Sequence, residues 1–462
     1  MWKKISAYFS VGGLIGGLLT ALSGSAFLYL AHWGYSTPWL ETPLALLFFT
    51  LLLAGDRRVW LWSGFFLGLF WFGWIGVSFL HYGHPWAVPF VSLAVAGVYA
   101  LLFWLAAWLA EGLGKILPRL QPTKSEKREA QNESVAKQRK PQLFTLHSSL
   151  FTLIAKAFLL WLMSLIHPFG FDWFKPELVL IHTPFGVDGV HFALLLASLL
   201  CVIAAAEARA HRRLFLMGLG LLSLLAAIHP QRVGILSDDP AGHIALAGTQ
   251  VSVERKWRPD ALRPQALRVL RLIDRAVDAN RSAIFLPESV LPTFLNRDPA
   301  LLKAIRKRSR KIDIVLGALF LTPEGENRNS AYLFHDGRFS VADKVVLVPF
   351  GEANPLPDWA GRWINKIFFD GAPDYQAAET PTDFRVDGKK FRAAVCFEGT
   401  SERLYADRPE RMVLLSNNGW FVPSVEPTLQ RLLLEYYARK YGTEIWHAVN
   451  ASPSYIVRMS NE

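Results

Sequence analysis

Cys396 is the one cysteine of this chain that lies outside its strongly apolar segments. It closes a short strand-like run, Phe391-Arg-Ala-Ala-Val-Cys396, that follows an Asp387-Gly388 turn. The second cysteine, Cys201, sits in an apolar stretch with the length of a membrane span. In a domain on the oxidising side of a membrane, a thiol without a disulfide partner points to reactivity; taken alone it reads equally well as a buried structural cysteine. Glu288 follows Ala283-Ile-Phe-Leu-Pro287. A carboxylate held at an apolar strand end loses hydration, which suits it to shuttling protons near neutral pH. Lys344 precedes Val345-Val-Leu-Val-Pro-Phe-Gly-Glu352, and a lysine beside a carboxylate stays charged and can offset negative charge growing on an oxygen. Glu352 and Glu398 are further candidate carboxylates. Singly, Glu288 and Lys344 read more readily as solvated strand-end residues. Together the three types make a self-consistent nucleophilic site. The glutamate takes the thiol proton, the thiolate attacks a carbonyl, and the lysine with a backbone N–H holds the oxyanion. None of the twelve histidines falls in these motifs, which argues against a Cys-His pair.

The elements that must position these residues begin near Ile235. Apolar runs predict strands over 243–250, 282–286, 312–321, 412–416 and 444–450. Helical spacing over 261–280 (Leu267, Leu270, Ile273, Val277) predicts a helix, as do 299–311 and 427–441, the last stopped by Gly442. Asp336-Gly337 and Asp387-Gly388 each join two strands as a hairpin, and the second hairpin delivers Cys396. Interleaved strands and helices with hairpins among them require a mixed sheet, so a layered α/β sandwich is expected. Glu288, Lys344 and Cys396 all come directly after strands and would gather at one sheet edge.

Ahead of that region the texture changes completely. The chain has 462 residues, 52% of them hydrophobic, with 17 tryptophans. Apolar runs over 11–31, 38–54, 59–80, 86–110, 147–166, 188–207 and 214–229 predict a bundle of about seven spanning helices, each near the roughly 20 residues a bilayer core requires. Two domains follow: a transmembrane domain over 1–230 and a second over 235–462. With seven spans, Lys3, Lys4, Arg57, Arg58, the basic residues between Lys115 and Lys140, and Arg209, Arg212 and Arg213 all fall on one side. The opposite loops carry only Lys175. The positive-inside rule then puts the N-terminus in the cytoplasm and the C-terminal domain outside it. The net charge of +11 is therefore a topology signal and no sign of nucleic-acid binding. The stretch 121–142 reads as a flexible cytoplasmic loop.

Pro287-Glu288, Lys344 with Leu347-Val-Pro-Phe-Gly-Glu352, Cys396-Phe397-Glu398 and Asn417-Asn-Gly-Trp420-Phe421 resemble the motifs of the nitrilase superfamily, and more narrowly its membrane-bound branch, the bacterial apolipoprotein N-acyltransferases. Gln250, Trp257, the segment Gly64–Ser78 with Trp74, and Thr183-Pro-Phe-Gly-Val-Asp-Gly189 are similar to family segments too. The resemblance implies a nitrilase-like sandwich behind the membrane helices. It implies Glu288 as base, Lys344 as oxyanion partner and Cys396 as acylated nucleophile. Glu352 and Glu398 would be supporting carboxylates, with Trp257, Trp420 and Phe421 in substrate binding. The implied reaction moves a fatty acyl chain from a phospholipid through a cysteine thioester to the N-terminal amine of a diacylglyceryl-cysteine lipoprotein. It needs no metal or organic cofactor and runs in a monomer in the bacterial inner membrane, the catalytic domain on the periplasmic side. A membrane-tethered amidase passing its acyl group to water, or a non-catalytic scaffold, would share much of this sequence. Three departures stand out: Phe397 replaces the usual tyrosine, Tyr437-Ala-Arg-Lys440 replaces an arginine and glutamate pattern, and the sequence stops at Glu462. Typical members run on through further strands and an eighth span, so an incomplete or differently closed sheet is expected here.

Overall fold

The computed structural model describes residues 8, 10–116, 140–357, 359 and 374–460. Two compact units emerge, one of residues 1–73, 90–166 and 174–230, the other of residues 74–89, 167–173 and 231–462. Lys3, Lys4 and the stretch 121–142 as far as Arg139 lie outside the described residues.

In the first unit, Ser10 caps the helix Val11–Trp33, and Gly34 ends it in the left-handed region that a residue with a β-carbon avoids. Asp56 accepts from the Arg58 and Val59 amides to start Arg57–Phe72. These two helices pack closely because Gly17 has no side chain: a β-carbon there would meet Trp62 at 2.3 Å. Among the described residues, four helices are long and apolar enough to cross a membrane: Val11–Trp33, Arg57–His81, Ala87–Lys115 and Gly189–Glu207. Pro38–Ala54 is apolar but shorter, Leu150–Leu165 is the apolar part of a longer helical stretch that begins at Lys140, and Ala210–Ala226 spends its first turn on Ala-His-Arg-Arg. Of the about seven spans expected, four are helices of full spanning length among the described residues. Val11, Trp39, Phe90, Leu214 and Phe215 are broadly exposed, a surface that suits lipid rather than water.

The second unit is built on two six-stranded mixed sheets face to face, the layered α/β sandwich expected from the sequence. The strands are β1 (Val233–Leu236), β2 (Ile244–Leu246), β3 (Ala283–Phe285), β4 (Leu291–Phe294), β5 (Asp313–Leu321), β6 (Asn327–His335), β7 (Arg338–Asp343), β8 (Asp383–Val386), β9 (Lys389–Val395), β10 (Arg411–Asn417), β11 (Glu444–Asn450) and β12 (Tyr455–Met459). One sheet runs β2-β3-β5-β6-β7 with β4 beside β5, and the other β1-β12-β11-β10-β9-β8. Alternation along each strand decides what it touches. Phe285, Val315 and Leu333 point into a core shared with Phe391, Val395, Val413, Leu415 and Trp446 of the other sheet. Ile284, Ile314 and Leu316 point the other way, onto α1 (Leu262–Asp278) and α2 (Pro299–Arg308). The helix α3 (Glu426–Tyr441) packs against β11 and β12.

β9, β10 and β11 are parallel neighbours, as are β2, β3 and β5, so their C-terminal ends collect on common edges. β12 pairs antiparallel with both β11 and β1, Val233 opposite Met459, which extends the sheet in place of the gap foreseen after Asn450. The run 243–250 shortens to three strand residues because its later part turns to bridge Asn450. Phe285→Ala empties a site walled by the rings of Phe391, 5.4 Å away, and Trp446 at 6.0 Å. It should cost about 3–5 kcal/mol, seen as a lower thermal midpoint of the detergent-solubilised protein.

Candidate active site

Glu288 directly follows Pro287, three residues past the end of β3, and is 8% exposed. Its backbone lies almost against β5: a β-carbon on Gly317 would meet the Glu288 Cα at 2.5 Å, so only glycine fits there. Asn329, buried on β6, donates through Nδ2 to Glu288 Oε1 and to Glu352 Oε1, both at 2.8 Å. One amide thus holds the two carboxylates side by side. Lys344 follows β7 directly, its amide donating to the Asn329 carbonyl at 3.0 Å. Its ammonium is 1% exposed and lies 2.7 Å from Glu352 Oε2. That ion contact does not have hydrogen-bond geometry. Burial works against the charge of Lys344, but Glu352 first, then Cys396, Glu288 and Glu398, outweigh it and hold the ammonium above its usual range.

Cys396 comes after the last residue of β9, with φ at +55°, a conformation a side chain adopts at a cost of about 1–3 kcal/mol and that recurs at functional sites. Burial pushes its thiol well up, Glu288 adds to that, and Lys344 and the Asn417 N–H at the sulfur oppose it. The thiol therefore keeps its proton at rest and needs a base. Glu398, two residues on, accepts from the Val395 amide through Oε1 at 2.7 Å, and from the Val345 and Val346 amides through Oε2 at 2.7 and 3.2 Å. Burial raises it to about 7 against the pull of Lys344 and those amides. Asn417 is itself fixed by Asn450, whose Nδ2 donates to Asn417 Oδ1 at 2.7 Å.

The other singled-out residues lie around this group. Phe397 stacks on Phe171 at 5.8 Å and Trp173 at 6.0 Å, while Trp173 Nε1 donates to Thr400 Oγ1 at 2.7 Å. Phe421 meets Trp74 edge-on at 4.8 Å, and Trp420 stacks with Tyr82 at 5.1 Å, both rings half-buried. Trp257 is two-fifths exposed, directly after a short helical turn. Among the described residues no three His, Cys, Asp or Glu side chains could hold a metal ion together.

Residues 12–123 and 140–226 match the model of the apolipoprotein N-acyltransferase integral membrane domain. Over 441 residues the chain is 36% identical to the apolipoprotein N-acyltransferase of Wolinella succinogenes, spanning 95% of this chain and 94% of that relative. The chain belongs to the apolipoprotein N-acyltransferase family. The Helicobacter pylori apolipoprotein N-acyltransferase is 31% identical over 86% of this chain and 82% of its own. An amidase of the nitrilase superfamily from Nesterenkonia AN1 overlays 49% of this chain and 93% of its own, at 14% identity and a TM-score of 0.35.

In this family member the structure brings together Glu288, Lys344, Glu352, Cys396 and Glu398, and it adds residues that sequence reasoning missed. Asn329 has no local signal, since Asn327-Arg-Asn-Ser330 lacks apolar alternation. Tyr375 donates its amide to the Glu352 carbonyl at 2.9 Å; burial, then Glu352 and Glu288, push its phenol up to about 12. Glu426, 2% exposed at the start of α3, is raised to about 8 by burial and is near enough to act on the Cys396 thiol. Gly317→Ala should displace Glu288 and slow alkylation of Cys396 by iodoacetamide by about tenfold or more, since misplacing a reacting group by an ångström has effects of that order. Site-resolved mass spectrometry of the alkylated protein reads the rate.

Proposed function

We propose that this protein is a phospholipid-dependent N-acyltransferase working through an acyl-enzyme at Cys396, with Glu288 as base and Lys344 as oxyanion partner. The observation that carries this reading is the common enclosure of one thiol, one ammonium and the Glu288–Asn329–Glu352 bridge. The thiol proton passes to Glu288 and the sulfur attacks the ester carbonyl of a phospholipid. Lys344 opposes the charge on the carbonyl oxygen while Glu352 holds it in place. Collapse breaks the ester C–O bond, and the proton on Glu288 leaves with the lysophospholipid alkoxide. In the second half, the N-terminal amine of a diacylglyceryl-cysteine lipoprotein gives its proton to Glu288 and attacks the thioester. An amide forms, and the thiolate that departs recovers the proton. A thioester keeps enough energy for this aminolysis, whereas the ester would react slowly.

Glu352 and Glu398 act in this scheme as supports, one for the charge of Lys344 and one for the loop that carries Cys396. Trp257, Trp420 and Phe421 line the lipid path, where aromatic rings suit a membrane interface. The acyl-transfer reading extends to a chain with seven spans, a membrane domain over 1–230, and a catalytic domain over 235–462 on the periplasmic side of the inner membrane, active as a monomer.

Mixed with phospholipid, the intact protein should gain one acyl mass that maps to Cys396. Labelled palmitate should move to a lipoprotein N-terminus rather than appear as free acid. Cys396→Ala should abolish transfer and Cys396→Ser should leave little; full activity in Cys396→Ala ends the proposal. A thiol reagent that cannot cross membranes should label Cys396 in intact spheroplasts, and labelling confined to lysed cells would reverse the topology.

A further inference from the structure

Lys256 ends a four-residue helical turn, Val253–Lys256, and is 1% exposed. An ammonium so far from water needs an opposing charge or a set of acceptors. Its Nζ donates to the Glu288 carbonyl oxygen at 3.1 Å. Gln265 Nε2 on α1 donates to the Lys256 carbonyl at 2.9 Å, which fixes the turn. The charges acting on Nζ are the Glu288 carboxylate beyond β3 and the Cys396 sulfur beyond β9. Glu254, on the same turn, is instead paired with His81 at 2.5 Å. The two groups that exchange a proton in the acyl-transfer reading are thus the two whose charges act on Lys256.

We propose that Lys256 is a second cation of the reaction centre, a positioning residue that holds the Glu288 strand end by its carbonyl and favours the thiolate at Cys396. The inference rests on the acyl-transfer reading for its purpose, though the thiolate it concerns can be observed without any lipid. When the proton leaves Sγ for a Glu288 oxygen, an S–H bond breaks, an O–H bond forms and the negative charge moves from carboxylate to sulfur. An ammonium hydrogen-bonded to the Glu288 carbonyl adds to the positive charge that Lys344 already sets against the sulfur. Burial lowers Lys256 to about 8 against the pull of Glu288 and Cys396. The sign follows: the cation is present at neutral pH and lost as the pH rises above about 8, so its help to the thiolate fades there.

The test is iodoacetamide alkylation of Cys396 in the full-length, detergent-solubilised protein between pH 6 and 10, with Cys201 resolved separately by mass spectrometry. Wild type should show a break above about pH 8, where the rate climbs less steeply. Lys256→Met should alkylate at least about tenfold more slowly at pH 7.5 and lose the break. Lys256→Arg, charged throughout, should lose the break and stay within about threefold of wild type. Thermal midpoints show whether each variant folds. Wild-type rates in a folded Lys256→Met, or equal losses in folded Met and Arg variants, overturn the proposal. If neither variant folds, a wild-type profile without the break overturns it. Absence of an acyl adduct on wild type would sink the acyl-transfer reading and leave this result unaffected.

Discussion

A lysine ammonium sealed away from water must be answered by carboxylates, and the layout of this site follows from meeting that demand at Lys344. Glu352 supplies the contact at 2.7 Å, with Glu288, Glu398 and the Cys396 sulfur acting from further out. Each of those acids then has a need of its own, because a buried carboxylate without donors is as costly as an unpaired cation. Asn329 meets it for two of them with a single amide, and backbone N–H groups meet it for Glu398. The charge at Lys344 therefore dictates which side chains surround it and which loops supply free amides.

The two-sheet frame is what lets those pieces converge. Parallel neighbours β9, β10 and β11 place Cys396, Asn417 and Asn450 at the same ends, and β3 beside β5 places Glu288 against Gly317. Antiparallel β6 and β7 bring Asn329 next to Lys344 from the other direction. The core between the sheets, built from Phe285, Val315, Val395, Val413 and Trp446, holds both sets of strand ends in register. Fold and site are linked through this packing.

Much of this was legible in the chain, and the omissions share a cause. Local patterns mark strand ends, so Glu288, Lys344 and Cys396 can be picked out from apolar runs, proline and Asp-Gly turns. Pairing between distant segments leaves no such pattern. β1 and β12 are short and meet only because Val233 lies opposite Met459, more than two hundred residues away in sequence. Asn329 gains its place from the register of β6 with both β5 and β7. Lys256 reads as an ordinary basic residue beside Trp257, since nothing local says that a lysine is enclosed. In the membrane part, hydropathy located the apolar helices, four of which are long enough to span a bilayer among the described residues.

Glu398 has a mechanical side. Its two oxygens clasp the amide ahead of Cys396 and two amides of the loop after Lys344. Sulfur and ammonium are thereby mounted on one stiff bracket, and prising them apart would strand three donors around a buried acid. Along the margin of Tyr82, Trp420, Trp74 and Phe421, by contrast, ring contacts can slip without exposing a charge.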